Sequence, residues 1–275
     1  MNPWLETIAV SIVALLGVSL GRMFSRFRGS CWAFGYLLPF LLIAMMVIVR
    51  CNNSLAFVLP FSWITAGRIK CVILSLAVPM GLTTLLSRLP RKREKIATCG
   101  FMAVFVIWSS VLPFLVPALI KDHLLNLRTR VDFNGICFQT TDYTCGPAAA
   151  VTALRNLGLP AHEGEIAVLS HTSPVTGTFP HCLSTALQNR YASDGLKCQY
   201  RRFDSLGQLK AAGLTLAIVR DRLLSDHCVA VLGVSDWTVS IADPVVGRRL
   251  MSHRQFEKIW RFTGIVLKRD STQTI

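Results

Sequence analysis

A single cysteine stands where a chain can make a thiol nucleophilic. The run Gln139-Thr140-Thr141-Asp142-Tyr143-Thr144-Cys145-Gly146-Pro147 leads straight into the helix-forming segment Ala148-Ala149-Ala150-Val151-Thr152-Ala153-Leu154. This predicts a helix that opens at Cys145, with Pro147 tolerated in its first turn and Gly158 closing it after Leu157. The first turn exposes unpaired N–H groups at the positive end of the macrodipole, an environment that favours a thiolate over a thiol. A nucleophile also needs a base, and the base a partner. Asp226-His227-Cys228-Val229-Ala230-Val231-Leu232 offers a histidine at the start of a strand, and Ile241-Ala242-Asp243-Pro244 offers a carboxylate just past the end of the next. Cys145, His227 and Asp243 therefore suit a Cys-His-Asp triad, in which the acid fixes the imidazole tautomer and stabilises the imidazolium.

The spacing makes that pairing specific. Residues 229–234 and 237–242 read as two strands joined by a turn at Ser235-Asp236. A hairpin centred on position 235 sets Asp243 opposite His227. Gln139, six residues before the cysteine, can supply a side-chain N–H as half of an oxyanion hole, the Cys145 backbone N–H being the other half. Taken singly, each residue has an ordinary reading: a packed thiol, a strand-edge histidine, an Asp-Pro turn, a surface amide. Their joint arrangement is what points to acyl chemistry.

At these residues the chain resembles the peptidase C39 family, papain-like cysteine proteases that trim double-glycine leader peptides from bacteriocins and related secreted peptides. The matching pattern is Gln139, then Asp142-Tyr143-Thr144-Cys145-Gly146-Pro147-Ala148, then His227 opening an apolar strand 82 residues after the cysteine, then Asp243-Pro244-Val245-Val246-Gly247. The resemblance spans about residues 131–269, roughly half of the chain. It implies Cys145 as nucleophile, His227 as general base, Asp243 as orienting acid and Gln139 as oxyanion donor. It further implies a leader-bearing peptide or protein as substrate, no cofactor, and a separate transporter as a partner. In well-known members the peptidase precedes a transporter membrane domain and an ATPase cassette. Here the apolar half comes first and no Gly-x-x-x-x-Gly-Lys-Ser/Thr run occurs, so ATP binding is not expected.

Residues 1–130 differ in composition from the rest. Apolar runs over 4–20, 31–49, 71–86 and 96–120 approach or exceed the length that crosses a ~30 Å hydrocarbon core, and predict four transmembrane helices. A fifth run, 55–66, is short and broken by Pro60, which suits an interfacial or re-entrant helix. Trp4, Trp32, Trp63 and Trp108 are candidate interfacial anchors. The first run lacks a basic n-region and a small-residue cleavage site, which favours an uncleaved helix over a signal peptide. Arg22, Arg26 and Arg28 follow the first run, and Arg88, Arg91, Lys92, Arg93 and Lys95 lie between the third and fourth. Both loops are expected on the cytoplasmic side of a bacterial cytoplasmic membrane, which sets the second half outside.

The formal charge of +14 does not signal nucleic acid. Residues 1–130 hold 14 Lys+Arg against 3 Asp+Glu, and residues 131–275 hold 15 against 12, so the excess lies with the membrane loops, where arginine meets anionic lipid. Residues 131–275 suffice for one domain. Helices are predicted at 145–157, 163–170, 180–191, 205–212 and 252–260, and strands at 197–202, 215–220, 228–234, 237–242 and 263–268. Helices first and sheet later is the papain-like α+β plan. The loop Ser173-Pro174-Val175-Thr176-Gly177-Thr178 can border a peptide groove. Cys137, Cys182, Cys198 and Cys228 could form two disulfides if that half is extracytoplasmic, leaving Cys145 free. No metal site is expected, because Cys-x-x-Cys and His-x-x-x-His are missing. The function expected is a membrane-anchored cysteine endopeptidase. The alternatives are a non-enzymatic peptide-binding or regulatory domain of a transporter assembly, and another papain-like acyl transferase or amidase.

Overall fold

Gly17 and Gly21 lie one helical turn apart at the end of the first apolar run and just past it, and a methyl group on either would strike the backbone of the third run, at Leu76 and Met80 respectively. Small residues at that spacing let two helices approach closely. In the computed structural model, which describes residues 3–27, 32–52, 55–58, 61–62, 68–221 and 225–270, they do so. The chain divides into two units, Met1–Leu119 and Ile120–Ile275.

In the first unit, α1 (Pro3–Arg26) runs parallel to α3 (Ile69–Leu86). Glu6 pairs with Arg68 at 2.7 Å at one end, and the Gly21 carbonyl accepts from Thr84 Oγ1 at 3.3 Å at the other. α2 (Phe34–Cys51) runs antiparallel to both, with Gly35 against Thr84 and Pro39 against Gly81. The next helix, α4 (Lys92–Val106), passes through a π-helical stretch at Ile107–Val111 into α5 (Leu112–Leu119). It too is antiparallel to α3: Met102 meets Thr83, Ser109 and Ser110 meet Ser75, and Phe114 lies under Arg68. The result is an up-down-up-down bundle whose first and last helices begin and finish at the same end. Its outer surface is apolar: Leu15, Phe40, Ile96 and Val104 are each more than half exposed.

Three helices, Pro3–Arg26, Ile69–Leu86 and Lys92–Leu119, are long and apolar enough to cross a membrane, and Phe34–Val49 is a shorter apolar helix. The second run is thus shorter than expected, since its helix begins only at Phe34; Cys31 lies outside the described residues. Of the run 55–66, Leu55–Phe57 forms a 3-10 turn, while Pro60 and Trp63 lie outside the described residues. Trp4 is exposed near one end of the bundle. Trp32 stacks beneath Arg88 at 4.8 Å near the other. Trp108 lies in the middle of the 28-residue helix Lys92–Leu119 and packs on Phe105.

The second unit is α+β. After α6 (Lys121–Leu125) and a two-strand ladder of β1 (Arg130–Val131) and β2 (Cys137–Phe138), helices α7 (Cys145–Asn156), α8 (Glu163–Leu169) and α9 (Pro180–Tyr191) precede the main sheet. That sheet has six antiparallel strands in the order β3-β8-β4-β5-β6-β7, comprising β3 (Leu196–Arg202), β4 (Thr215–Arg220), β5 (Asp226–Val234), β6 (Thr238–Asp243), β7 (Gly247–Ser252) and β8 (Trp260–Arg269). Alternation along β5 builds two cores: Cys228 and Ala230 join the cluster around α7, while Val229 and Val231 join Phe203, Phe256 and Trp260 on the other face. α10 (Leu206–Ala212) and α11 (His253–Ile259) complete the unit. Edge strand β7 has no counterpart among the expected strands, because Arg248-Arg249-Leu250 is exposed and carries no apolar alternation.

The two disulfides that these spacings allow are not formed: Cys137, Cys198 and Cys228 carry free thiols. Each is packed among apolar side chains, and burial pushes the Cys137 and Cys198 thiols up to about 12 and that of Cys228 well above its ordinary value. Core packing, not cross-linking, accounts for these residues.

Candidate active site

Cys145 is the first residue of α7 and is only partly exposed, whereas Gly146 to Leu154 behind it are all buried. Thr144 precedes it with φ −104° and no side-chain cap on the helix. Its hydroxyl turns back instead, accepting from the Thr141 amide at 3.2 Å and donating to the Thr141 carbonyl at 3.0 Å. That closes the loop before the cysteine and leaves the first turn without a side-chain cap from Thr144, which suits an anion at this end. At Gly146 a methyl group would lie 3.2 Å from Thr178 Cβ, so the loop containing Ser173–Thr178 closes against the same helix end.

The structure brings His227 and Asp243 together: imidazole Nε2 lies 2.9 Å from Asp243 Oδ1. The hairpin that does this is not centred where the spacing implies. Ala230 pairs with Ala242 and Val231 with Ile241, and a bulge follows before Gly233 meets Ser240. Continuing the ladder one step sets Asp243 opposite Val229, two residues from His227. A two-residue offset keeps both side chains on one face, and the diagonal neighbour is within reach of an imidazole. The contact therefore forms although the register differs from the expectation. Asp243 Oδ1 also accepts from the Val245 amide at 2.9 Å, and Arg249 Nη1 stands 4.0 Å from Oδ2.

The electrostatics follow from these contacts. Burial works against a charged His227, but hydrogen bonds to Asp243 and Cys145, with the negative charge of both, outweigh it and raise its pKa to about 10. Burial likewise opposes charge on Asp243, and the His227 hydrogen bond, the Val245 amide and the charges of His227 and Arg249 overcome it, so its pKa is lowered. A histidine at about 10 when folded and about 6.5 when unfolded stabilises the fold fully below pH 6.5, and that contribution is lost as pH rises through 10. The melting temperature should accordingly fall between pH 7 and 9 in the native chain and fall less in Asp243→Asn. Parallel melting curves for the two would discount the coupling.

Gln139 sits at the end of β2 with its loop fastened on two sides. Its backbone N–H donates to the Pro244 carbonyl at 2.9 Å, next to Asp243. The adjacent Thr140 amide donates to Glu163 Oε1 at 2.8 Å. The side-chain carbonyl of Gln139 is buried without a hydrogen-bond partner, an uncommon condition that packing alone does not reward. Beside it lies an open groove of about 510 Å³ whose lining includes Phe138, Gln139, Asp142, Pro244 and Val245. Thus Gln139 lies beside the Asp243-Pro244 turn, and Asp243, His227 and Cys145 follow one another in contact. Glu163 is the addition; no local motif marks it, since it contacts Thr140 from 23 residues away. Among the described residues, no group of three His, Cys, Asp or Glu side chains is placed to hold a metal ion.

Comparison with known proteins bears on this half of the chain. The model of the peptidase C39 family matches residues 134–274. An uncharacterized protein of Methanothermobacter marburgensis is 32% identical over 129 residues, covering 47% of this chain and 83% of that protein. Another, from Methanothermobacter thermautotrophicus, is 33% identical over 132 residues, covering 48% and 85%. Among solved structures, a double glycine motif protease from an AMS/PCAT transporter in complex with the leader peptide aligns at 18% identity over 52% of this chain and 93% of that one, with a TM-score of 0.42. The peptidase domain of Streptococcus ComA aligns at 21% identity over 48% and 96%, with a TM-score of 0.42.

Proposed function

This chain belongs to the peptidase C39 family, and from that premise we propose that it is a membrane-anchored cysteine endopeptidase that cleaves leader peptides after a double-glycine-type site. The observation that carries the reading is the hydrogen-bonded series from Cys145 through His227 to Asp243 at the N-terminus of α7. A thiolate paired with an imidazolium is already the reactive form of the nucleophile. The Cys145 sulfur attacks the scissile carbonyl, and the oxygen takes up the electron pair between the Gln139 side-chain amide and the Cys145 N–H. The tetrahedral centre collapses to a thioester as His227 gives its proton to the departing amine. His227 then takes a proton from water, the hydroxide carbon–oxygen bond replaces the thioester, and the thiolate returns with the imidazolium. Asp243 holds the ring throughout.

Specificity for two small residues before the cut rests on the family and on the crowding of Gly146 by Thr178. A β-carbon pressed on the groove wall would displace the carbonyl from the attack line, and about 1 Å of misplacement costs on the order of a hundredfold in rate. The full chain in detergent should cleave a leader peptide after Gly-Gly or Gly-Ala and fail when either residue is made bulky. Indifference to both residues would instead favour a broader papain-like acyl transfer.

The apolar outer surface of the bundle and its three long apolar helices support a membrane anchor. Arg22, Arg26, Arg88 and the basic run 91–95 gather at one end of the bundle, and the chain leaves at the opposite end, alongside Glu6 and Arg68. With the basic end cytoplasmic, the peptidase half is extracytoplasmic. A membrane-impermeant protease added to intact spheroplasts should digest residues 131–275; protection until lysis would reverse the orientation.

A further inference from the structure

Glu163 is a charged residue with no exposed surface, in a unit whose proposed chemistry is served by four other side chains. Thr140 engages its carboxylate twice, donating its amide to Oε1 at 2.8 Å and its hydroxyl to Oε2 at 2.6 Å. Thr140 directly follows Gln139. The same threonine hydroxyl lies 3.2 Å from the Arg128 carbonyl, and the Glu163 amide donates to Thr129 Oγ1 at 3.0 Å. In the segment that leads into the unit, Thr129 is thus bound to the Glu163 end of the latch, and the Arg128 carbonyl lies against the Thr140 end. Just before them, Leu124 is fully buried, and Gly164 is packed so tightly against the Leu124 carbonyl that it has no room for a methyl group. The helices α6 and α8 are in contact at the point where the latch is built.

A buried carboxylate is costly unless hydrogen-bonded, and this one is satisfied by donors from the loop that carries Gln139. With the Gln139 N–H held by Pro244 and the Thr140 N–H held by Glu163, consecutive amides of that loop are clamped from opposite sides. We infer that Glu163 is a positioning residue: through Thr140 it sets the place of the Gln139 amide, and it ties that loop to the 124–129 segment through which the chain enters the peptidase half. This deepens the proposed function, because it assigns the support of the oxyanion donor. It has a consequence for control, since any displacement of Arg128–Thr129 would be passed through Thr140 and Glu163 to the group that stabilises the oxyanion and not to the Cys145–His227 pair.

The test uses the full chain in detergent, with Glu163→Leu, Glu163→Gln and Thr140→Val, read three ways. Glu163→Leu and Thr140→Val should each lower kcat by about 10- to 100-fold, with KM within about twofold, since a misplaced oxyanion donor affects the transition state more than binding. Iodoacetamide alkylation of Cys145, which needs the thiolate pair but no oxyanion hole, should keep its native rate. The double variant should lose little more than either single one, as expected of two halves of one contact. Glu163→Gln, which retains an acceptor for the Thr140 amide and can donate to its hydroxyl, should recover most of kcat. Native kcat in Glu163→Leu, or an equal fall in kcat and alkylation, would overturn the positioning role; the latter would mean general loss of structure. Hydrogen exchange of the 139–144 amides supplies a readout independent of turnover. It should quicken in Glu163→Leu while the β4–β5 amides stay protected, and unchanged exchange would overturn the latch. If the native chain cleaves no leader peptide yet the exchange result holds, the proposed substrate fails and the latch stands.

Discussion

Cys145→Ala should abolish peptide cleavage, with kcat lower by roughly 10⁴- to 10⁶-fold, while the variant still binds its substrate. The size follows from chemistry rather than packing. Without the sulfur no thioester can form, and what remains is the weak effect of binding and an oxyanion hole acting on water. The rest of the unit has little reason to change, because Cys145 is only partly exposed at a helix end and replacing it by alanine favours the helix if anything. Iodoacetamide provides the companion measurement. Cys137, Cys198 and Cys228 are held as protonated thiols by burial, so within this unit Cys145 should label ahead of these three below pH 8, and the substitution should remove that early labelling. A variant that keeps about 1% of native turnover, or labelling of Cys137, Cys198 and Cys228 at the rate of Cys145, would exclude the thiolate mechanism.

Replacement of Gln139 should separate activity from stability. Gln139→Met keeps the approximate volume and removes both the side-chain N–H and the buried carbonyl that has no partner. Loss of one oxyanion donor is expected to cost about 10²- to 10³-fold in kcat with KM nearly unchanged. Removing an unsatisfied buried acceptor relieves about 1–3 kcal/mol of desolvation cost, so the melting temperature should hold or rise. The backbone contact to Pro244 is untouched by the substitution. A residue that weakens the fold where it stands but speeds the reaction is what a functional position looks like in physical terms. If Gln139→Met loses stability and keeps its kcat, the side chain is a packing element and the oxyanion is held elsewhere.

Much of this site was legible along the chain because its determinants are local. A helix N-terminus needs only the few residues around Cys145 and Pro147, and side-chain parity on neighbouring strands survives a register error of two. That is why His227 and Asp243 meet even though a bulge between Val231 and Gly233 moves the ladder away from a centre at position 235. The edge strand Gly247–Ser252 was not legible for the opposite reason: an exposed strand shows no alternation, and its place is fixed by hydrogen bonds to Thr238–Asp243.

What the sequence by itself determined, then, is the family pattern at Gln139, Cys145, His227 and Asp243, the order of an apolar helical half and an α+β half, and the gathering of basic residues between particular apolar runs. Tertiary structure alone decided the rest. Four cysteines compatible with two disulfides include three that stay free thiols, because packing sets each against an apolar core. The first and third helices lie in contact and parallel because Gly17 and Gly21 meet the backbone of Leu76 and Met80, a fit invisible to hydropathy. Glu163, by pattern an ordinary acidic residue in a helix's first turn, becomes the buried anchor of the Gln139 loop 23 residues upstream of its helix. Such contacts depend on how whole elements stack, and no local periodicity encodes that distance.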